Sequence, residues 1–306
     1  MTTLLPVLLA VHGAVAQGIL WGIMTLGVLL TFRILNIADM TVDGSFAAGG
    51  AVSAVLITHG MNPLLTLVFA FLMGSVTGLC TGLLHTKLHI HEILAGILSM
   101  IALYSINIRI MGRSNIGLLG EATVINILQE KFSISPNAAS LIVGVLFISV
   151  IIVAMYWFFG TEIGSAIRAT GNNEHMVRAL GADTDFMKIL GLMIANGLVA
   201  LSGALVAQSQ GYGDVGMGTG TIVIGLASII IGEVIRGKHI SFGAYLISVV
   251  LGSIVYRIII AIVLQLGLRP TDLKLFTAII VASALAIPVV KKNMRPSRKA
   301  AAKERA

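Results

Sequence analysis

The stretch GTEIGSAIRATGNNEHMVRALGADTDFMKILG, Gly160 to Gly191, is a polar passage with regularly placed glycines and both signs of charge, set between long runs of Leu, Ile, Val, Ala and Gly. Those runs decide the fold class. Of the 306 residues, 57% are hydrophobic and 11% charged, a balance far outside that of soluble domains. Apolar segments long enough to cross ~30 Å of hydrocarbon recur along the chain, and within lipid only helices or a closed barrel satisfy the backbone. The runs are continuous rather than alternating, so the expected fold is all-α: a polytopic, multi-pass membrane protein.

Marking apolar stretches and the polar breaks between them places spans near 12–32, 44–59, 63–84, 92–111, 138–159, 188–209, 219–235, 240–263 and 275–290, about nine transmembrane helices, with eight to ten compatible. The opening thirty or so uncharged residues leave room for a short extra helix, and the second span begins in polar sequence. Residues 1–290 then form one transmembrane domain, interrupted at 160–187 and followed by a basic tail, 291–306. With that tail in the cytoplasm, fourteen of the twenty Lys and Arg residues fall on the inner side and five on the outer, and Arg257 lies within a span. This is the positive-inside bias, and it puts both Gly160–Gly191 and the C-terminus in the cytoplasm. The net charge of +7 resides largely in the tail, which implies an anchor to membrane lipid rather than a nucleic-acid partner. No charged side chain precedes Arg33, so the basic segment of a cleaved secretory signal is missing and the first span is expected to be retained. Cys80, the only cysteine, excludes an intrachain disulfide.

Within the cytoplasmic stretch, residues 162–170 can continue the fifth span as a short helix, with Gly171 as a left-handed terminator. Asn172 or Asn173 can cap a second short helix, EHMVRALG, in which Glu174 and Arg178 form an i,i+4 pair and Gly181 supplies another stop. Asp183 or Thr184 can cap the sixth span. So short a helix is unstable alone in water and must pack on something. Met176, Val177, Ala179 and Leu180 suit a shallow groove on another protein, and an ordinary loop folded back on its own membrane domain is the alternative.

GSAIRATGNNEHMVRALGAD closely resembles the cytoplasmic loop of ABC-importer permeases of the branched-chain amino acid and ribose permease family, with a pattern near G-x-A-x-R-A-x-G-x-N-x-x-x-A-x-A-x-G. Further matching stretches are LTFRILNIADMTVDGSFAAGG, AGILSMIALYSINIRIMG and GTGTIVIGLASIIIGEVI, and together they look most like the permeases for tryptophan or related amino acids. The resemblance implies a coupling helix that docks on a separate ATP-binding subunit. Gly164, Ala166, Arg168, Ala169, Gly171, Asn173, Ala179 and Gly181 are the matching positions, with Glu174, Arg178 and Leu180 completing the docking element. Val177 stands where many relatives carry alanine, which would alter fit to the ATPase. The resemblance also implies a second permease chain, a homodimer included, an extracytoplasmic solute-binding protein, and location in a bacterial cytoplasmic (inner) membrane. It implies inward movement of a small polar solute, an amino acid such as tryptophan or another aromatic. ATP and magnesium would belong to the partner ATPase, and this chain would hold no cofactor and catalyse no reaction. A stand-alone secondary transporter or channel is the alternative, and would call for inverted repeats and discontinuous midplane helices.

Several motifs carry less than they suggest. GEVIRGKH, Gly232 to His239, nearly spells a phosphate-binding loop, but it ends in His239 rather than a hydroxyl and no strand precedes it. HTKLHIHE, His85 to Glu92, gathers three histidines, yet matches no metal-ligand spacing, and Glu92 suits a helix cap. Gly216, Gly218 and Gly220 read as a flexible entry to the seventh span. Polar residues at membrane depth are costly and therefore informative. Asn36, Thr41, Asp43, Ser45, Asn107 and Asn196 are the candidates for a translocation path, and a capped helix entry or helix-helix hydrogen bonds are the other readings. Glu233 reads as interfacial. Gly74, Gly78 and Gly82, and the small residues Ala200, Gly203, Ala204 and Ala207, are spaced for close helix packing. The segments 112–136 and 212–218 are candidate docking surfaces for the binding protein.

Overall fold

A computed structural model describes residues 4–236, 241–266, 272, 275–279 and 282. The described residues are almost wholly helical: α1 (Leu4–Leu29), α2 (Thr41–Thr58), α3 (Pro63–Thr86), α4 (Glu92–Met111), α5 (Val124–Phe132), α6 (Pro136–Phe158), α7 (Glu162–Asn172), α8 (Glu174–Ala179), α9 (Thr184–Gln210), α10 (Thr221–Arg236) and α11 (Phe242–Gln265). Seven of these are long and apolar enough to cross a membrane, and α10 is a shorter apolar helix. They correspond to eight of the nine expected spans. The ninth, 275–290, lies mostly outside the described residues, as do the tail at 291–306 and Gly237–His239 of the near phosphate-loop motif. The helix starts follow local chemistry. Asn62, Ser135, Thr161 and Ser241 each accept from a backbone N–H of the first turn, and Pro63 and Pro136 open their helices, where a missing N–H costs nothing.

The bundle is built around α1, α2 and α9, whose spans are largely buried, whereas α3, α4 and α6 turn an apolar face outward. Close approach of the inner helices depends on glycine. A Cβ at Gly74 or Gly78 of α3 would collide with the Asn196 or Leu192 carbonyl of α9, and one at Gly49 of α2 with that of Ala200; Gly203 of α9 has the same relation to Phe46. The expected small-residue rows are therefore the contact lines of the core, where backbone proximity brings dispersion contacts that large side chains would forbid. Arg257, in the middle of α11, lays its guanidinium 3.8 Å from the Trp21 ring centroid, a cation–π contact.

Two interruptions break the regular packing. After α1 the chain widens into a π-turn over Leu30–Ile34, and Asn36 adopts a left-handed φ of 57° before α2 begins. The second follows α9. Gly211 (φ +76°) closes that helix, and Tyr212–Asp214 pairs antiparallel with Asn115–Gly117 as two three-residue strands, β2 and β1. The chain then descends along α2: Gly213 lies against Ala54, Met217 against Gly50 and Gly218 against Asp43. That is a drop of about 16 Å at 1.5 Å per residue, so α10 starts inside the bundle. The 212–218 segment is thus not a free outer loop: Val215 is buried and Gly218 is pressed on the Asp43 carbonyl. Gly216–Gly220 are likewise held rather than loose, because Asp43 binds the turn they form. The 112–136 segment carries β1 and the amphipathic α5, which packs on α6.

The histidine-rich turn also resolves. α3 ends at Thr86 and His89 takes φ 51°, so His85 and His89 do not share a helix; His85 Nδ1 pairs with the Ile90 carbonyl. His91, not Glu92, occupies the cap position of α4 and makes no side-chain cap bond.

Candidate functional site

At one end of the bundle, α7 and α8 form a knuckle between α6 and α9. The break between them is Asn173, whose side chain accepts from Met176 N at 3.0 Å. Gly171 is not a left-handed terminator. It lies within α7, where a Cβ would strike the Ile34 carbonyl, so its role is to let α7 lie directly on the π-turn. Gly181 does take the expected left-handed φ, +87°. Asp183 then caps α9 through the N–H groups of Asp185 and Phe186. Gly164 is packed against the Phe158 carbonyl, and Ala166 and Ala169 are half-buried. Arg168 donates to the Phe159 carbonyl at 2.6 Å and lies over the Phe242 ring, tying α7 to the ends of α6 and α11.

Ion pairs hold α8 on α9. Glu174 accepts from Arg178 at 3.0 Å and from Lys188 at 2.7 Å, and Arg178 also reaches Thr184 and Asp185. The hydrogen bond from Lys188 is the main cause holding the Glu174 carboxyl below its ordinary value; partial burial opposes it, and the Lys188 charge, Thr184 and the Arg178 charge reinforce it. Val177 is buried at 4% exposure, so it faces the bundle and not a partner. Met176, Leu180 and Phe186 are exposed at 47, 78 and 50%, and Ala179 is exposed beside them. The knuckle thus presents a small apolar tip on a charged, ion-paired base.

The residues considered for a translocation path separate into three places. Asn36 borders a polar depression at the knuckle with Arg33, Arg168 and Asn172. Thr41, Ser45 and Asn196 are buried and bonded inside the bundle. Asn196 donates to Asp39 Oδ2 at 2.7 Å and to the Leu192 carbonyl, and accepts from Ser45, which also meets Thr77; Thr41 and Ser99 meet at Thr81. Asp39, 2% exposed, also accepts from Thr41 N and so caps α2. This network links α2, α3, α4 and α9; Asp39 stands in the polar entry to the second span, where a capped helix start is one expected reading, whereas Thr77, Thr81 and Ser99 join the network without any local sequence signal beyond their polarity in apolar surroundings.

Asp43 and Asn107 come together at a cleft of about 400 Å³ between α2, α4 and the descending loop. Asp43 accepts from Gly220 N, Ile222 N and the Thr221 hydroxyl, at 2.8 to 3.0 Å. A carboxylate at a helix N-terminus satisfies otherwise orphaned N–H groups and complements the helix dipole. Asn107, 1% exposed, donates to the Gly44 carbonyl at 3.3 Å, and its Oδ1 has no hydrogen-bond partner among the described residues. Met100, Ile101, Tyr104 and Val215 make the apolar wall, and Ser105 and Thr219 supply hydroxyls.

Glu233 pairs with Arg33 and accepts from the Tyr245 hydroxyl at 2.8 Å, joining α10, α11 and the π-turn at the knuckle end. Among the described residues, no group of three or more histidine, cysteine or acidic side chains is placed to hold a metal ion.

The family described as branched-chain amino acid transport system / permease component matches residues 11–285. A tyrosine transport system permease protein of Clostridioides difficile is 41% identical over 270 residues, covering 88% of each chain. A probable branched-chain amino acid transport permease of Methanocaldococcus jannaschii is 27% identical over 64% of each chain. The ribose import permease of Escherichia coli is 25% identical over 60% of this chain and 56% of its own. No solved structure matches.

Proposed function

Because the chain belongs to the branched-chain amino acid transport permease family, the permease components of ABC-type transporters, we propose that it is the membrane subunit of an importer moving an amino acid inward. The 41% identity to a tyrosine permease favours an aromatic amino acid. The observation that carries the mechanism is the knuckle: an exposed apolar tip, Met176, Ala179 and Leu180, on a base held to α9 by ion pairs. Such a tip fits a groove on an ATP-binding subunit, and its movement reaches the interior through α9 and through Gly171 on the π-turn that leads into α2. The partner supplies ATP and magnesium; this chain supplies the path. The knuckle and the C-terminus face the cytoplasm of a bacterial inner membrane. A solute-binding protein docks at the opposite end near β1 and α5, and two permease chains share the pathway.

Ala179→Arg puts a charge in the apolar contact without touching the ion pairs. It should abolish transport and transport-coupled ATP hydrolysis while the protein still inserts. Normal transport by that variant refutes docking. The short α10, which starts inside the bundle, favours a secondary transporter, whose binding sites use interrupted helices. Co-purification with an ATPase, lost on disrupting residues 163–181, supports the importer. Uptake by the chain alone under an ion gradient supports the other reading.

A further inference from the structure

The Asn107 cleft has a composition that specifies more than a passage. Its volume, about 400 Å³, is that of a small-molecule site. Its walls are apolar, with one aromatic ring, and no lysine, arginine or histidine is among its described lining residues. Asp43, the one carboxylate among its described lining residues, has its oxygens occupied by three uncharged donors at the start of α10, which cancel no charge but leave few lone pairs for a solute. What remains is the Oδ1 of Asn107, a buried acceptor without a donor among the described residues. A polar atom left so is costly unless something completes it, and its amide is fixed in this sense by the Nδ2 bond to Gly44.

We infer that this cleft is a solute subsite that takes a neutral or zwitterionic small molecule with an apolar or aromatic body, Asn107 Oδ1 accepting from its N–H or O–H donor. The ring of Tyr104 and the Met100 and Ile101 side chains hold the body, and Ser105 and Thr219 hydroxyls meet the remaining polar atoms. A net anion finds no counter-charge here and is disfavoured. This rests on the importer reading above, and it names what that pathway recognises. The site lies where α2, α4 and the turn leading into α10 meet, so a shift of α10 relative to α2 opens or closes it.

The test uses the purified permease–ATPase complex without binding protein, and follows saturable binding of tritiated L-tyrosine with unlabelled L-phenylalanine, L-tyrosinamide and L-glutamate as competitors. Tyrosine and phenylalanine should compete and glutamate should not. Asn107→Leu should weaken tyrosine binding by about tenfold, the loss of one well-made hydrogen bond. Asn107→Asp keeps the shape and an acceptor, loses the Nδ2 donor to the Gly44 carbonyl and introduces a carboxylate, so it should shift preference about tenfold toward the cationic tyrosinamide. That shift of preference is something a purely structural asparagine would not produce. Absence of saturable binding by the wild type, unchanged binding by Asn107→Leu, or an unchanged tyrosinamide-to-tyrosine ratio in Asn107→Asp overturns the inference. Failure of the chain to co-purify with an ATPase overturns the importer reading instead, and is scored separately.

Discussion

Glu174 and Asp39 are both carboxylates that hold separate segments together, in opposite surroundings. Glu174 sits at the knuckle, partly in water, and binds two cations and a hydroxyl across α8 and α9. Asp39 is 2% exposed and accepts from uncharged donors, the Thr41 N–H and the Asn196 amide among them. An exposed pair such as Glu174 with Arg178 is screened and contributes about 0–1 kcal/mol, and the pair with Lys188, whose side chain is 16% exposed, is screened less, whereas a fully buried polar group that loses its partner pays its full desolvation cost. The knuckle is therefore held weakly enough to move, and the Asp39 network strongly enough to keep four helices in one register. A transmitted motion needs both, a compliant contact and a stiff interior.

The comparison breaks most directly at Asn196. Asn196→Leu removes its bonds to Asp39, Ser45 and Leu192 at once. The Leu192 bond lies within α9, and the other two reach separate segments; interhelical hydrogen bonds in membrane bundles are worth about 0.6–1.7 kcal/mol each, so the loss should be roughly 1–3 kcal/mol, read as a fall in thermal midpoint in detergent. A change as small as that of a surface variant would mean the network is not what fixes the interior. Gly49→Ala attacks the same interior through packing. Its added methyl meets the Ala200 carbonyl, and overpacking of this kind costs about 1–3 kcal/mol, visible in the same melt and as reduced monodisperse yield.

The knuckle was largely legible in the sequence because its chemistry is local. Asn173, Gly181, Asp183 and the Glu174–Arg178 pair sit within a few residues of what they bond. Gly171 misled because a glycine after a short helix usually ends it, whereas this one is required by a carbonyl of the distant residue Ile34. Val177 misled because a two-turn helix does not declare which face is inward. In the interior, the polar residues were identifiable by their cost at membrane depth, but not their pairings: Ser45 meets Asn196, and Asp43 caps α10, across separations no periodicity records. The descent of 211–220 was invisible because its glycines are equally at home in a loose loop.

Asp43 is intermediate between the two regions, a half-buried carboxylate on a helix start. Asp43→Ala removes three acceptor contacts from the first turn of α10 and should cost about 1–2 kcal/mol, the range of a lost cap. Faster hydrogen exchange confined to residues 220–224 would check it. Exchange spread evenly over the bundle would mean that Asp43 belongs with the Asp39 network rather than between the regions.

The smallest effect belongs to Glu174. Its carboxyl titrates below the ordinary 4.5 when folded, so its stabilising contribution is complete above about pH 4.5 and is lost as pH falls through the lower, folded value. At pH 7, Glu174→Gln should cost about 1 kcal/mol or less, and less still in high salt. The measurement is protease protection or hydrogen exchange of residues 174–180 against pH. Wild type should be better protected than the variant at neutral pH, and the two should converge once Glu174 is protonated, while protection around Asn196 stays the same in both. Loss of protection at Asn196 in the variant would mean that knuckle and interior open as one unit, and the division between a compliant contact and a stiff bundle would have to be given up.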